Sequence, residues 1–474
     1  YAELDAASGR FAAGLKRAGI ERERRIALVM LDTVDFPIAF WGALKAGVIP
    51  VPINTLLPPD ITGYILQDSR AAALFVSAPL LEPLKPAARR VGRVVVSHLD
   101  GKAGGFTEFL GGNSESIEEC SPDETAFWLY SSGSTGAPKG ARHVHSSLKA
   151  TADTYAANTL NLAPDDVVFS VAKLFFAYGL GNSMTFPMAA GASTFLLPDR
   201  PTPDAVLDIM RRQRPTLFCG VPTLYAALLA HPELGPGAGS DRLRLCISAG
   251  EALPEHVGTR WRDKVGCDIL DGIGSTEMLH IFLSNRLGDI RYGSTGKPVP
   301  GYELRILDDN GNDLPDGESG ELVVRGPSAA DGYWNQRDKS RRTFRGEWTH
   351  TGDTYTRDAE GYYRYCGRTD DMLKVGGIWV SPFEVEEALI AHPAVLESAV
   401  VGHADADGLI KPKAFVVLQE SAQKEDRANL AAILQNAVKD RIGVWKYPRW
   451  IEFADSLPKT ATGKIQRYKL RDGV

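Results

Sequence analysis

Apolar residues recur with helical spacing and in short strand-like runs that alternate along the first 290 residues. The pattern predicts helices over 3–18 and 36–46, strands over 26–30, 48–51, 126–130, 167–171, 217–219, 243–248 and 269–273, and helices beginning near Pro222 and Pro254. Strands that alternate with helices are typical of parallel sheets flanked by helices. Ligands of such sheets bind at the carboxyl ends of the strands.

The pattern changes to short strands and tight turns from about residue 290. The acidic run 308–313 superficially resembles a calcium loop, but its sixth position is Asp313 instead of glycine, so we expect an Asn-Gly hairpin turn. After about residue 370 a capping box formed by Ser381 and Glu384 predicts the start of a helix. Apolar runs predict two further strands and an amphipathic helix that carries Leu430 and Leu434.

The chain length indicates how many domains to expect. At 474 residues the chain exceeds one ordinary hydrophobic core, so we expect two domains. We predict an α/β protein whose large N-terminal domain, residues 1–369, consists of packed mixed α/β sheets with a small β subdomain. A small, mobile α+β C-terminal domain, residues 370–474, is predicted to follow it.

Composition and charge exclude several classes of protein. With 44% hydrophobic residues, 24% charged residues and a net charge of −6, the chain has the composition of a soluble globular protein. It lacks a dense basic block, so nucleic acid is not expected as a partner. The five cysteines are scattered, odd in number and never spaced C-x-x-C. We therefore expect neither a disulfide framework nor a zinc site, and predict a cytoplasmic location.

Two features of the sequence concern targeting and membranes: the start of the chain and one uncharged run. The chain begins at Tyr1 without methionine and resembles the middle of a fold, so we expect an upstream segment. Residues 174–198 carry no charge and are long enough to span a bilayer. They also contain several glycines, Pro187 and polar residues, which favour a helix followed by a buried strand over 194–197. No membrane partner is expected.

A candidate phosphate-binding loop follows the apolar run 126–130. Glycines let the backbone turn sharply and present its N–H groups, while hydroxyls and one lysine add further donors. The candidate residues are Ser131, Ser132, Gly133, Ser134, Thr135, Gly136 and Lys139. A Walker loop is excluded because Pro138 stands where a glycine is required after Gly133. A Gly/Ser-rich surface loop is the alternative interpretation.

Four further segments follow this loop in order: 248–252, 271–277, the pair 351–353 with 367–371, and 457–465. The run 271–277 lacks the third glycine of a dinucleotide fingerprint. Taken together, the five segments resemble the motifs of the acyl-adenylate-forming superfamily, which includes acyl- and aryl-CoA ligases, luciferases and the adenylation domains of peptide synthetases. The resemblance covers residues 126–470 and implies that the chain is an enzyme that uses ATP and Mg²⁺.

The resemblance also implies roles for single residues. Thr276 would bind the α-phosphate and Glu277 would hold Mg²⁺, while Lys464 matches the catalytic lysine. Asp370 matches the hinge about which the small domain rotates between half-reactions. The remaining implied ATP contacts are Ala249, Gly250 and Glu251 beside adenine, the glycine-lined run Asp271, Gly272, Ile273 and Gly274, and Asp353 with Arg368 at the ribose. Glu251 has a helix N-terminus as its alternative role.

The segment 173–182 occupies the position that lines the acyl pocket in this superfamily. It has no acidic residue for an α-ammonium group, which argues against an amino acid substrate, and Phe176 stands where many relatives have histidine. The predicted pocket residues are Phe175, Ala177, Tyr178, Gly274, His280 and Ile281. This local pattern resembles benzoate-CoA ligases and implies a small aromatic carboxylic acid as substrate. For His280, a pocket wall and a simple hydrogen bond to the backbone both stay open.

The segment 374–379 matches the one that lines the pantetheine tunnel of CoA ligases. The implied coenzyme A contacts are Lys374, Gly376, Gly377, Trp379, Trp445 and Lys446. We therefore expect an AMP-forming acid–CoA ligase of aromatic acid degradation that works by domain alternation. A ligase for a cinnamate-like or medium-chain acid and an adenylating domain that loads a carrier protein are the alternatives. A homodimer is left open.

Overall fold

The computed structural model describes residues 1–98, 105–114, 117–131, 137–375, 378–406, 409–424, 426–444, 446–459 and 465–471, with only the backbone at 370, 374, 378 and 379. The chain divides into two compact units. Tyr1–Leu304 and Val324–His350 form the first, and Arg305–Val323 and Thr351–Val474 form the second. The division into compact units does not show about which residue one domain could rotate. The predicted domain boundary between residues 369 and 370 therefore stays a prediction.

The first sheet of unit 1 is parallel, as predicted. Its strands are β1 Arg25–Val29, β2 Ile49–Pro52, β3 Ala73–Ser77 and β4 Val94–Ser97, in the order β2-β1-β3-β4. The neighbouring helices are α1 Ala2–Arg17, α2 Asp35–Lys45, α3 Pro59–Asp68, α4 Ala78–Ala88 and α5 Phe106–Phe109. Along β1, Ile26 and Leu28 pack with α1 and α2, whereas Ala27 and Val29 pack with α3 and α4. Alternate side chains thus fill a core on each face of the sheet.

The candidate phosphate-binding loop joins two antiparallel strands, β5 Thr125–Ser131 and β6 Lys139–Val144. Phe127 and Leu129 pack into one core and Trp128 into the other, so β5 is a buried strand as predicted. It does not belong to a parallel sheet, however. The rule that ligands bind at the ends of parallel strands therefore does not apply to this loop. The position of the loop is set by the hairpin that β5 forms with β6. Helix α6, His145–Thr151, follows β6 directly.

The second sheet of unit 1 carries most of the predicted strands. It consists of β7 Val167–Ser170, β8 Ser193–Phe195, β9 Leu217–Gly220, β10 Leu245–Ser248, β11 Ile269–Gly274, β12 Ile281–Ser284 and β13 Lys297–Pro298, in the order β13-β12-β11-β10-β9-β7-β8. Strands β7 to β11 are parallel, and β12 and β13 extend the sheet antiparallel. Its helices are α7 Ala177–Leu180, α8 Phe186–Ala190, α9 Pro203–Gln213, α10 Pro222–Ala230 and α11 Glu255–Val265. The predicted mixed sheet is confirmed.

The uncharged run 174–198 folds as short helical segments and one strand. A π-helical turn, Gly181–Thr185, joins α7 to α8, and β8 follows. The prediction of a buried strand over 194–197 is wrong, because β8 lies at the edge of its sheet with Ser193 and Thr194 exposed. Among the residues that the structure describes, no helix combines the length and the apolar character needed to cross a bilayer.

The remaining elements are shorter and mostly follow the change of pattern near residue 290. They are β14 Glu303–Leu307, β15 Ser319–Arg325, β16 Gly332–Tyr333, α12 Arg337–Thr343, β17 Phe344–Arg345, β18 Trp348–Arg357, β19 Tyr363–Arg368, β20 Leu373–Val375, β21 Ile378–Val380, α13 Pro382–Ile390, β22 Val395–Ala404, β23 Ile410–Leu418, α14 Arg427–Ile442, β24 Trp450–Phe453 and α15 Arg467–Arg471. The predicted Asn-Gly turn is confirmed, with the N–H of Gly311 donating to the carbonyl of Asp308.

The C-terminal part of unit 2 has the predicted α+β character. Strand β23 pairs antiparallel with β22 and parallel with β24. Helices α13 and α14 cover this sheet through a shared apolar core that includes Leu389, Leu430 and Leu434. The hydroxyl of Ser381 accepts a hydrogen bond from the N–H of Glu384, so the predicted helix start is confirmed.

Candidate active site

Strands β10 and β11 are parallel, and Ser248 at the carboxyl end of β10 lies opposite Asp271 within β11. Asp271 is 5% exposed, and burial raises the pKa of its carboxyl to about 8, against the opposing effect of backbone hydrogen bonds from Leu253 and Gly272. Among the described residues its Oδ1 has no hydrogen-bond partner. Asp271 is thus mainly protonated at neutral pH and can donate a hydrogen bond at this edge of the sheet.

The glycines of the 271–277 run permit a close approach of two backbone segments. A Cβ at position 274 would lie 2.5 Å from the carbonyl oxygen of His280 and 2.8 Å from the nitrogen of Ile281. A Cβ at position 272 would lie 2.9 Å from a methyl carbon of Ile281. Glycine is therefore required at 274 for β11 to pair with β12 at the observed distance.

The backbone after β11 is held by two hydrogen bonds from distant segments. The Nε2 of His143 lies 2.8 Å from the carbonyl oxygen of Thr276, and the N–H of Ala330 donates to the carbonyl oxygen of Glu277 at 2.7 Å. Burial lowers the pKa of His143 to about 4, so its ring is neutral and Nε2 carries the donated proton. These contacts fix the positions of two predicted site residues.

The side chain of Glu277 meets a lysine and a tyrosine. The hydroxyl of Tyr333 donates to Oε1 of Glu277 at 2.7 Å, and Nζ of Lys139 donates to the same hydroxyl at 3.0 Å. The separation between Nζ and Oε1 is 3.8 Å. The structure therefore brings the predicted Lys139 and Glu277 together, through a residue that sequence reasoning did not select.

The phosphate-loop candidates lie partly outside the described residues. Ser131 and Lys139 face each other across β5 and β6, so they mark the two ends of the connection. The Oγ of Ser131 is buried, and no described residue is its partner. Ser132, Gly133, Ser134, Thr135 and Gly136 lie outside the described residues. Their phosphate role stays a prediction.

Tyr178 and His280 form the centre of the predicted acyl pocket. The hydroxyl of Tyr178 lies 3.2 Å from the carbonyl oxygens of both Gly220 and Ile247. The Nε2 of His280 lies 3.3 Å from the carbonyl oxygen of Tyr178. Burial lowers the pKa of His280 to about 3, so the ring is neutral and its Nε2–H donates this hydrogen bond.

The other predicted pocket residues have different surroundings. Ile281 is buried directly after His280 and pairs with Gly274 across the two strands. Phe175 is buried against the ring of Phe176, at a centroid distance of 4.6 Å, and Ala177 packs against the core of the first sheet. His280 is bonded to the backbone and lies among aromatic rings, and its role as a pocket wall stays a prediction.

The predicted ribose pair lies in unit 2. Asp353 and Arg368 face each other across β18 and β19, and Nη1 of Arg368 donates to Oδ1 of Asp353 at 2.9 Å. The same Nη1 donates to the carbonyl of Thr351 at 3.0 Å. The guanidinium is 40% exposed and the carboxylate 13%. The pair is present as predicted, and its ribose role stays a prediction.

Comparison with known families and structures identifies the chain. Residues 1–334 match the AMP-binding enzyme family, and residues 384–464 match the AMP-binding enzyme C-terminal domain. The chain belongs to the AMP-binding enzyme family. It is 54% identical to the benzoate–CoA ligase of Thauera aromatica over 99% of this chain and 90% of that protein. It is 52% identical to the 4-hydroxybenzoate–CoA/benzoate–CoA ligase of Rhodopseudomonas palustris over 100% of this chain and 88% of that protein.

Solved structures of similar proteins agree with this assignment. A benzoate CoA ligase from Burkholderia xenovorans superposes with a TM-score of 0.92 at 51% identity, covering 99% of this chain and 94% of that one. An anthranilate CoA ligase in complex with anthranoyl-AMP superposes with a TM-score of 0.91 at 43% identity, covering 99% and 91% of the two chains. The fold predicted from the sequence, a large α/β domain with a smaller C-terminal one, is confirmed.

The residues around Glu277 fit the cation that an AMP-binding enzyme uses. Within the described part of the chain no three or more His, Cys, Asp or Glu residues cluster as a metal cage. Mg²⁺ is usually bound by one or two carboxylates together with substrate phosphates and water. A single carboxylate beside a lysine, as at Glu277 and Lys139, matches this mode.

The predicted coenzyme A residues of this AMP-binding enzyme are only partly described. Lys446 donates to both carboxylate oxygens of Glu384 at 2.7 Å. Lys374 on β20 and Trp379 on β21 face each other in the strand register. Gly376, Gly377, Trp445 and the catalytic candidate Lys464 lie outside the described residues, and the hinge candidate Asp370 lies in a 3₁₀ turn over Thr369–Asp371. Their roles stay predictions.

Sequence reasoning missed two residues of this site. Helix α11 begins at Glu255, four residues after Glu251, and the role of Glu251, beside adenine or at the helix N-terminus, stays a prediction. His143 and Tyr333 were not selected, although both contact the 276–277 segment. No spacing rule points to either one, since a histidine in a strand and a tyrosine after glycine are common. Only the pairing of β6 with β5 and β16 brings them to the site.

Proposed function

We propose that the chain is an ATP- and Mg²⁺-dependent aryl-CoA ligase that converts a small aromatic carboxylate, with benzoate as the preferred acid, to its CoA thioester. The observation that carries the proposal is the enclosed Tyr178–His280 pair beside Gly274, in a chain more than half identical to two benzoate–CoA ligases along nearly its full length. A neutral histidine and aromatic rings suit a flat, uncharged ring.

In the first half-reaction a carboxylate oxygen of the acid attacks the α-phosphorus of ATP, and the bond to pyrophosphate breaks. The product is the aryl adenylate. Thr276 and the loop from Ser131 to Thr135 hold phosphate oxygens, and Lys464 stabilises the charge that develops between the carboxylate and the α-phosphate. Asp353 and Arg368 bind the ribose hydroxyls.

Glu277 would hold Mg²⁺, and the bound cation would supply neutralisation of phosphate charge. The protein keeps this carboxylate in place through the contacts of Thr276 with His143 and of Glu277 with Ala330 and Tyr333. Because His143 is neutral at physiological pH, its hydrogen bond does not add a competing positive charge at the cation site.

In the second half-reaction the small domain rotates about Asp370 and withdraws Lys464. The thiol of coenzyme A, guided along Lys374, Gly376, Gly377 and Trp379, then attacks the acyl carbon and displaces AMP. Trp445 and Lys446 are the further contacts proposed for coenzyme A. Such a hinge rearrangement lets one site perform two chemical steps in sequence.

The test is a measurement of pyrophosphate release and thioester formation with ATP, Mg²⁺ and coenzyme A. The acids are benzoate, hydroxybenzoates, aminobenzoates, cinnamate and hexanoate. Fastest thioester formation with benzoate supports the proposal. Fastest turnover of 4-hydroxybenzoate would instead favour a 4-hydroxybenzoate–CoA ligase, since a relative at 52% identity carries both acids in its name. Pyrophosphate release without thioester would indicate another acceptor, such as a carrier protein.

Shortening Tyr178 tests the acid pocket. Tyr178→Ala removes the ring beside His280, so we expect kcat/KM for benzoate to fall at least about tenfold relative to that for cinnamate. The KM for ATP should stay near the wild-type value. Tyr178→Phe is the matched control, because it keeps the ring and loses only the hydroxyl that lies near Gly220 and Ile247. An unchanged order of acids in Tyr178→Ala would remove this residue from the pocket.

The cellular setting belongs to the same proposal. All five cysteines are free thiols, which supports a reducing compartment such as the cytoplasm. The homodimer left open by the sequence is tested by light scattering of the active enzyme after size-exclusion chromatography. A mass near twice 51.4 kDa would support it, and a mass near 51.4 kDa would refute it.

A further inference from the structure

The hydroxyl of Tyr333 bridges a cation and an anion that do not touch directly. It accepts a hydrogen bond from Nζ of Lys139 at 3.0 Å and donates one to Oε1 of Glu277 at 2.7 Å. The direct distance between Nζ and Oε1 is 3.8 Å, beyond hydrogen-bond reach. Nζ also lies 4.4 Å from the centre of the Tyr333 ring. Tyrosine thus contacts Lys139 with both its hydroxyl and its ring.

Tyr333 is itself held in place by its surroundings. It is 4% exposed, and it pairs with Ala141 where β16 runs beside β6. Its N–H donates to the hydroxyl of Ser340 at 2.9 Å, and its ring packs against Phe344 at 5.4 Å. The backbone on either side of Tyr333 is tied to the segments of Lys139 and Glu277, since Trp334 donates to the carbonyl of Gly140 and Ala330 to that of Glu277. A rigid anchor can fix the two charged side chains.

The separation of the two charges has a functional consequence. A lysine and a carboxylate in direct contact neutralise each other and have less attraction left for ligands. A hydroxyl between them satisfies one donor of the lysine and one acceptor site of the carboxylate. The bridge therefore keeps the carboxylate of Glu277 out of direct hydrogen-bond contact with the ammonium group of Lys139.

We propose that Tyr333 is a positioning residue that holds Glu277 ready for Mg²⁺ and keeps it out of direct contact with Lys139. This inference rests on the proposed function, because the roles of Glu277 and Lys139 belong to it. Tyr333→Phe keeps the ring and removes only the bridging oxygen. Lys139 and Glu277 then close into a direct ion pair that Mg²⁺·ATP has to break.

The expected result is a selective loss of affinity for Mg²⁺. For Tyr333→Phe, we expect the Mg²⁺ concentration at half-maximal pyrophosphate release to rise about tenfold. This is the size of effect expected when hydrogen bonds to charged groups are lost. The KM for benzoate should stay unchanged. A readout without turnover is the affinity for ATP, measured by calorimetry with and without Mg²⁺ in the absence of acid. The gain in affinity on adding Mg²⁺ should shrink about tenfold.

Tyr292→Phe is the matched control. The hydroxyl of Tyr292 also donates to a carboxylate, Oδ1 of Asp268 at 3.0 Å, but at the opposite end of β11. It should change neither the half-maximal Mg²⁺ concentration nor the gain in ATP affinity. Melting temperatures of both variants show that each is folded. A double-mutant cycle with Glu277→Gln should show that the loss of the Tyr333 hydroxyl has little further effect once the carboxylate is gone.

Two results would overturn the inference. One is a Mg²⁺-dependent gain in ATP affinity that is the same in Tyr333→Phe and wild type. The other is an equal loss of that gain in Tyr292→Phe, which would indicate general loosening of the fold. A wild-type enzyme that forms no thioester with any aromatic acid would overturn the proposed function alone, since the ATP affinity is measured without acid or coenzyme A.

Discussion

Replacing Lys464 by alanine is expected to slow formation of the aryl adenylate by about 10²–10³-fold, the loss typical for removing one group that stabilises transition-state charge. Thioester formation from supplied aryl adenylate and coenzyme A should proceed near the wild-type rate, because the lysine is proposed to have left the site at that step. The two rates are measured separately, as pyrophosphate release with ATP and as AMP release from the purified adenylate.

Lys459→Ala is the matched control within the same motif. Lys459 pairs with Glu397 at 2.6 Å, and both side chains are 35% exposed. A surface ion pair of this kind contributes little to stability, so the variant should retain both half-reactions. Equal loss of both half-reactions in Lys464→Ala would contradict the assigned role, and would indicate instead that the lysine supports the fold of the small domain.

Adding a single methyl group at position 274 is expected to lower kcat/KM for the aromatic acid by about 10²-fold, because a displacement near 1 Å in a catalytic site costs that much. The new Cβ would lie 2.5 Å from the carbonyl oxygen of His280, a distance that real Cβ atoms essentially never show. The backbone has to shift, and His280 and Ile281 shift with it. Steady-state kinetics with benzoate measures the effect.

Gly235→Ala controls for the loss of a glycine in unit 1. Its φ is −138°, and no atom lies within 4 Å of the added Cβ, so the substitution meets neither strain nor contact. It should leave the acid kinetics unchanged. Wild-type kinetics in Gly274→Ala would show that the close approach of β11 and β12 is not needed for acid binding.

Much of the fold was predictable because helix and strand periods are local properties of the sequence. The elements α1, β1, α2 and β2 were predicted to within about two residues, and so was the helix start at Ser381. Two features were not local. Burial of β8 depends on its place at the sheet edge, and the direction of β5 depends on the hairpin with β6. The sequence of a single strand reveals neither its position in the sheet nor the direction of the strand that pairs with it.

The same distinction applies to the site. Lys139 and Glu277 were selected from separate motifs, each of which carries its chemistry in a few adjacent residues. Their meeting through Tyr333 could not be predicted, since the three residues come from segments far apart in the chain. The charge state of His280 was also out of reach, because its pKa of about 3 is a consequence of burial among aromatic rings.

The sequence by itself determined the family, the kind of reaction and most of the candidate residues, because glycines, hydroxyls and charges that bind a nucleotide must stand at fixed local spacing. The tertiary structure alone decided which of these residues share a hydrogen-bond network and which ionisable groups are neutral. The physical reason is that strand pairing sets the contacts and burial sets the protonation, and both depend on residues that are distant in the chain.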